Sequence, residues 1–430
     1  MALSYDHGAI QWLSTDVVNT TYVISGLTFQ PKALRFWWVG IQSSTDATST
    51  SVNSSRGMGF AVDTSNRRCC FTRSDDNAGN AICSSAVHNG AIAGIVISGS
   101  ITALLDLSAI ASDGFTAIVD DQNSINTTVF WEAWGGSDLT VAVVGDFATP
   151  AAGGTQATTA TGLTAAATDQ ILFFAGTQYT GAFNSGAAND SGFCVGATSG
   201  VGADIVVGGN SDDGSAVTDT DGWCHSGECI GMIPVAGAAT LDMRASLNSF
   251  DTDGFTLNYA ESAVVDRKFI FLAMKGGQWK SGSYTIDDTA VNNTTTVSGL
   301  AFIPIGLNLM GRGETEQAAD VAQLQDGLCL GCASSTTSRR SQAVGDMDNV
   351  SISEIRTGIQ YDQILTTIVG TALGDCDLDA ITADGFRIIV DTASSRSATE
   401  WQGYVAFGNV PEPPVVVIPP VMGQMFLMNA

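Results

Sequence analysis

Lysine is scarce in this chain, at four residues in 430. Asp and Glu outnumber Lys and Arg by 43 to 17, and the formal net charge is −26. Such a field repels phosphate backbones and anionic lipid, which argues against direct binding of nucleic acid or a membrane surface. Charged residues of both signs reach only 14%, so Ser, Thr, Asn and Gly must supply much of the surface. No run of about 18 apolar residues, the length a spanning helix needs, occurs. The opening MALSYDHGAIQWLSTD has neither a basic start nor an apolar stretch of signal-peptide length. The expectation is synthesis and folding in a reducing cytoplasm.

Histidine is scarcer still: His7, His88 and His225. Nucleophile elbow, Walker loop, dinucleotide fingerprint and paired-histidine metalloprotease motifs are all missing. The chain is therefore expected to be no enzyme, with no catalytic residues, no cofactor and no metal. Nine cysteines, odd in number and irregularly spaced, do not read as a disulfide scaffold for so large a core. Helical periodicity is wanting too; the nearest stretch, TALLDLSAI, is short and uncapped.

What the chain has is glycine, 48 residues, with 44% apolar residues. That composition suits short strands and many turns. It also has repeats. DGFTAIVDD, DGFTLNYAE and DGFRIIVDT begin at Asp113, Asp253 and Asp384. About 85 to 90 residues before each lies a Gly-centred pattern, at Gly26, Gly162 and Gly299, spaced 136 and 137 residues apart. Between them fall GFAV at Gly59, GFCV at Gly192 and GLCL at Gly327. A closing strand ends each unit, at Gly136, Gly277 and Asn409. Four landmarks in one order, three times over, mark three domain-sized units.

The landmarks alternate with period two. Phe115, Ala117 and Val119 share one face, as do Phe255, Leu257 and Tyr259, and Phe386, Ile388 and Val390. The fold is read as all-β: three tandem antiparallel β-sandwich, jelly-roll-like repeats and an extended C-terminal arm. The boundaries are 1–148, 149–278, 279–410 and 411–430. In the DGF turn, Gly is read as tolerating a positive φ and Asp as bonding its own backbone. The repeated Phe points into a core, so three copies mark three cores rather than three active sites.

Other clusters are weaker signals. Cys224, His225, Glu228 and Cys229 have zinc-ligand chemistry, but their spacing fits no standard finger. Cys329 and Cys332 lie three apart on a strand and should face opposite sides. The acidic stretches at Asn210 and Asp219 lack the spaced glutamate of a helix-loop-helix calcium site and read as solvated turns. Among the aromatics, Trp38 continues the Leu34–Phe36 core face. Trp37 falls on the opposite face and, with Trp131 and Trp134, forms a surface for packing or for glycan. The second and third units carry Phe173–Phe174 and Asn308–Leu309 in that region, which favours packing.

The tail, VPEPPVVVIPPVMGQMFLMNA, has five prolines in ten residues and favours an extended conformation. Val415, Val416, Val417, Ile418, Met422, Met425, Phe426 and Leu427 are too apolar for a free tail. They are read as an arm that docks on a partner.

At GLTFQPKALRFWWVG, with DGFTAIVDD and a closing WEAWGG, the first unit resembles a repeated module of structural proteins of tailed bacteriophages, especially marine ones. Phe29, Pro31, Lys32, Ala33 and Leu34 carry the likeness. The third unit keeps Phe302 and Pro304 but has Ile305 and Gly306 for Lys-Ala, and the second loses the Phe-Pro pair. The resemblance implies a virion component on the particle exterior. The options are capsid decoration or head spike anchored by the arm, or a tail fibre or spike attaching to host glycan. The implied partners are other virion proteins of capsid or tail, with self-association.

Overall fold

In the computed structural model the described residues are 2–409, without 50–52, 77–78, 188–189, 234–239, 263–265, 319–322, 325, 370–371 and 395–398. The predicted docking arm, 411–430, lies outside them. Every regular element among the described residues is a β-strand, and every pairing is antiparallel.

The strands form three sandwiches of one plan. In the first, a large sheet has the order Leu3–Trp12, Thr127–Gly136, Pro31–Val39, Ser54–Ala61, Arg67–Ser74 and Cys83–His88. A small sheet of Thr21–Ile24, Gly114–Asp121, Ser100–Ala111 and Ala93–Ile97 packs on it. The second and third units repeat both orders strand for strand. In each large sheet the closing strand lies between the first strand and the third, and the next three strands follow in chain order; the all-β sandwich stands, while the jelly-roll detail is not shown.

The alternation along the strands sorts side chains into two kinds of core. Leu34, Phe36 and Trp38 fill the first sandwich with Phe115, Ala117 and Val119. Phe255 and Phe386 do the same in the second and third. The opposite faces of the three large sheets meet one another. Trp37, Trp134, Phe173, Ile205, Met310, Trp401 and Phe407, drawn from all three units, share one buried cluster. That cluster exists because these strands are apolar on both faces, as strands covered on both sides must be.

Two expectations are corrected by the pairing. Val141–Ala148 was assigned to the first unit, but it pairs along its whole length with Lys268–Lys275 and opens the second sandwich. It is the counterpart of Leu3–Trp12 and Gln278–Ile286, and its VAVVGDFA carries none of the repeated landmarks. The middle landmark also shifts register. Gly59 pairs with Phe36, Gly196 with Phe174 and Gly331 with Leu309, so Gly59 corresponds to Gly196 and Gly331, not to Gly192 and Gly327. Cys329 and Cys194 then share a position with Gly57, not with Ala61.

The corrected register has a steric cause. A Cβ on Gly59, Gly196 or Gly331 would lie 1.9, 2.1 or 1.6 Å from the carbonyl oxygen of Ile92, Cys229 or Ile364. At all three positions the small sheet's backbone crosses against the large sheet, and only glycine fits. Gly331→Ala is expected to lose about 1–3 kcal/mol or more by overpacking, read from the urea midpoint. Gly200→Ala, with nothing within 4 Å, is the control. Equal midpoints would mean that the crossing backbone can open.

The DGF turns have a job in each unit. Gly114, Gly254 and Gly385 sit against the carbonyls of Ile24, Thr158 and Val297. Close approach, not a positive φ, therefore demands glycine there; in the second unit Asp253 itself takes the positive φ, 59°. The aspartate ties the turn to the Gly-Leu landmark. Gly162 N–H donates to Asp253 Oδ1 at 2.7 Å, and Gly299 and Ala301 N–H donate to the Asp384 carboxylate at 3.0 and 2.7 Å. The two landmarks recur together because they are hydrogen-bonded to each other.

Candidate functional site

The fourth strand of each unit does not stay at home. Ala47–Ser49 of the first unit pairs with Ile355–Gln360 of the third. Ser185–Ala187 of the second pairs with Cys83–His88 of the first. Gln323–Leu324 of the third pairs with Thr220–Ser226 of the second. Each large sheet is thus completed to seven strands by another unit, and the donations run in a closed cycle. One chain builds a ring with pseudo-threefold symmetry, such as three separate chains would build by exchanging strands.

Charge sits at the centre of this ring. Arg35 and Glu132 lie opposite each other on neighbouring strands and form a buried ion pair, with side chains 6% and 0% exposed. Arg35 Nε donates to Glu132 Oε2 at 2.6 Å. Tyr5 O–H donates to Oε1 at 2.7 Å and Trp37 Nε1–H to Oε2 at 3.3 Å. Asn308 of the third unit donates its amide to the same carboxylate. The guanidinium lies 5.0 Å from the ring centre of Phe173, in the second unit. By register, Arg35, Phe173 and Asn308 occupy equivalent positions, as do Glu132, Leu272 and Val405. Three equivalent strands therefore converge with three different residues, and only the first unit brings a full charge pair.

The loops that follow the fifth large-sheet strand of each unit form a second constellation. Asp76 Oδ1 accepts the N–H of Ile355 at 2.8 Å, Asp213 Oδ1 that of Cys83 at 2.8 Å, and Asp348 Oδ1 that of Thr220 at 3.0 Å. Each aspartate caps the opening of a strand in another unit, in the same cyclic sense. Backbone bonds join the second loop to the first and to the third, and a serine side chain joins the third to the first. Gly214 N–H donates to Ala81 O, Ala81 N–H to Ser215 O, Asn349 N–H to Thr218 O and Thr218 N–H to Val350 O, at 2.8–3.0 Å. Ser353 Oγ donates to Asp75 O at 2.6 Å. Asp348→Ala is expected to cost about 1–3 kcal/mol, the penalty of a strand N–H left without its acceptor. Hydrogen exchange at Thr220 checks it and should rise; unchanged protection would mean that the cap is replaceable.

Titration follows from crowding. Burial, reinforced by Asp219, Asp348 and Asp212, pushes the Asp221 carboxyl up to about 6. Burial lifts Glu228 to about 7 despite Arg244, and Asp375 and Asp377 to about 6. His7, wedged against Ser338 of the third unit, is held down at about 4 by burial and by the Arg340 guanidinium.

The predicted site residues are placed as follows. Trp37 and Trp134 are fully buried in the central cluster; Trp134 lies 5.9 Å from Phe173 and 5.8 Å from Phe407, one in each other unit. Trp131 is inside the first sandwich, 5.4 Å from Phe115. All three indoles pack, leaving no open ring face for a sugar. Cys224 and Cys229 enter different cores, and Cys329 and Cys332 likewise. All nine cysteines are buried, and none is in a disulfide. No group of three or more metal-ligating side chains is arranged to hold a metal ion among the described residues. An open groove of about 540 Å³ runs between the second and third units, with Phe250, Trp279, Lys280 and Phe302 in its walls.

Sequence reasoning missed the Arg35–Glu132 centre and the loop ring. The one available signal was Arg35 and Glu132 standing in otherwise apolar strands, on the faces of Trp37 and Trp134. Comparison with known proteins gives no match, either to a family model or to a curated protein.

Proposed function

We propose that this chain is a non-enzymatic structural protein of a bacteriophage particle, carried on the exterior as capsid decoration or head spike and held by residues 411–430. The supporting observation is the closed cycle of strand exchange, which makes one chain into a trimer-shaped body suited to a threefold position on a shell. The chain reaches its last described residue, Asn409, beside Leu3, whose N–H donates to Asn409 Oδ1 at 2.5 Å. Both linkers between units, at Ser137–Thr140 and Gly276–Gly277, adjoin the same strand ends. The described chain therefore ends at one defined end of the ring, where in this reading the anchor would begin. The other virion proteins are the partners in this reading, together with self-association.

Deleting residues 411–430 is expected to remove the protein from particles while leaving its melting curve unchanged. Gel densitometry of purified virions measures it, and full occupancy by the truncated chain would defeat the anchor. Cryo-electron microscopy of the parent virion places the density on the shell or elsewhere. In the alternative, a tail fibre or spike that attaches to host glycan, the sugar seat would have to be the open groove between the second and third units, lined by Asn248, Ser249, Gln278 and Lys280, since Trp37, Trp131, Trp134 and Trp279 are all buried.

A further inference from the structure

The ring of loops lies at the end of the body opposite the chain's exit. Pro31 pairs with Gly135 at the linker end, whereas Val39 pairs with Arg56, and Ser54 pairs with Ser74 at the mouth of the loop. Strands of eight or nine residues separate the two ends by roughly 25–30 Å. An anchor at one end leaves the other free.

Each of the three loops turns one large aliphatic side chain outward. Ile82, Val217 and Ile352 are 42%, 44% and 50% exposed. Val217 and Ile352 lie three residues before the capped strand openings at Thr220 and Ile355, and Ile82 directly before Cys83. An isolated exposed aliphatic residue needs no explanation. Here there is one per unit, in equivalent loops that are hydrogen-bonded into a single ring.

The same loops carry Asp75, Asp76, Asp213, Asp219, Asp348 and Glu354. Two arginines adjoin them, and each already pairs with one of these carboxylates: Arg73 with Asp75 at 2.6 Å and Arg356 with Glu354 at 3.4 Å. The like charges press on one another: burial, then Asp348, raises the Asp219 carboxyl. A second copy brought face to face would set acid against acid, so self-association through this end is disfavoured. A partner bearing Lys and Arg would relieve the repulsion and cover the aliphatic side chains.

We propose that this loop ring is a docking face for a basic protein partner that is itself threefold symmetric, taking one apolar contact and one acidic patch from each unit. The symmetry is functional because three equivalent weak contacts engaged together gain about 10²–10⁴ in avidity over one, without any new kind of contact. The proposal takes from the particle reading only that this end is free; the binding surface itself stands on the loops.

The test uses the full chain and two probes of stated chemistry: a short Lys- and Leu-containing peptide as a single chain, and the same peptide shown on a trimeric coiled coil. Binding is measured at low and physiological salt. The trimeric probe should bind at least about 100-fold more tightly than the single chain, and added salt should weaken it. The variant Ile82→Ser/Val217→Ser/Ile352→Ser should lose that advantage while keeping the wild-type melting curve. Equal affinity for the two probes would overturn the proposal. Undiminished binding by the triple variant would overturn it too, as mere attraction to an acidic protein, and so would no binding by either probe. If the triple variant melts early, Ile352→Thr and Val217→Thr alone give the same readout.

Discussion

Arg35→Phe and Glu132→Leu are each expected to cost about 3–5 kcal/mol, while the double variant costs well under their sum. Each single change leaves a bare charge where the three sandwiches meet, and the site has no water-facing side to relax into. The double variant installs the residues that the second unit already carries at these positions, Phe173 and Leu272. It still leaves Tyr5, Trp37 and Asn308 without the carboxylate they donate to, so it should fall short of wild type. A double-mutant cycle read from urea midpoints measures the coupling. Additive losses would show that the charges do not depend on each other.

The second large effect is on pH. Asp221, Asp375, Asp377 and Glu228 have carboxyls raised to about 6, 6, 6 and 7 in the folded chain. A raised carboxyl favours the folded state when protonated. Its contribution is fully present below the unfolded value near 4, and is lost as pH rises through 6 to 7. His7 acts in the opposite sense. With its folded pKa depressed to about 4, its contribution is present above about 6.5 and is lost as pH falls through 4. With four carboxyls against one imidazole, stability should rise as pH falls from about 7 towards 4, and His7 should make the rise shallower below about 6.5. Self-repulsion at a net charge of −26 reinforces this rise as the carboxylates are neutralised. Thermal melts from pH 4 to 8 test the profile. Asp221→Asn should make the rise shallower and His7→Gln should make it steeper between pH 6.5 and 4. A plateau from pH 4.5 to 7 in the wild type would contradict the burial of these carboxyls.

Much of the architecture was legible because burial on both faces of a strand leaves a period-two record. Trp38 and Trp37 were assigned to opposite faces, and the structure puts them in a sandwich interior and in the central cluster. Cys329 and Cys332 divide in the same way. The division into three units also followed from landmarks, since each landmark is tied to another by hydrogen bonds within its own sandwich. The register of the middle landmark did not. Gly-apolar alternation recurs along one strand, and only the carbonyl lying against Gly59, Gly196 or Gly331 tells one glycine from the next.

The sequence by itself determined the strands, their faces, the triplication and the acidic surface, because each is written in the order of residues near one another. Only the tertiary structure decided that the three units close into a ring. The exchanged strands are two or three residues long, too short to carry a pattern. Their partners lie 98 to 312 residues away, so their pairing depends on how the whole chain returns upon itself. The same holds for the central charge pair, whose members stand 97 residues apart. They become a pair only where three apolar sheet faces exclude water around them.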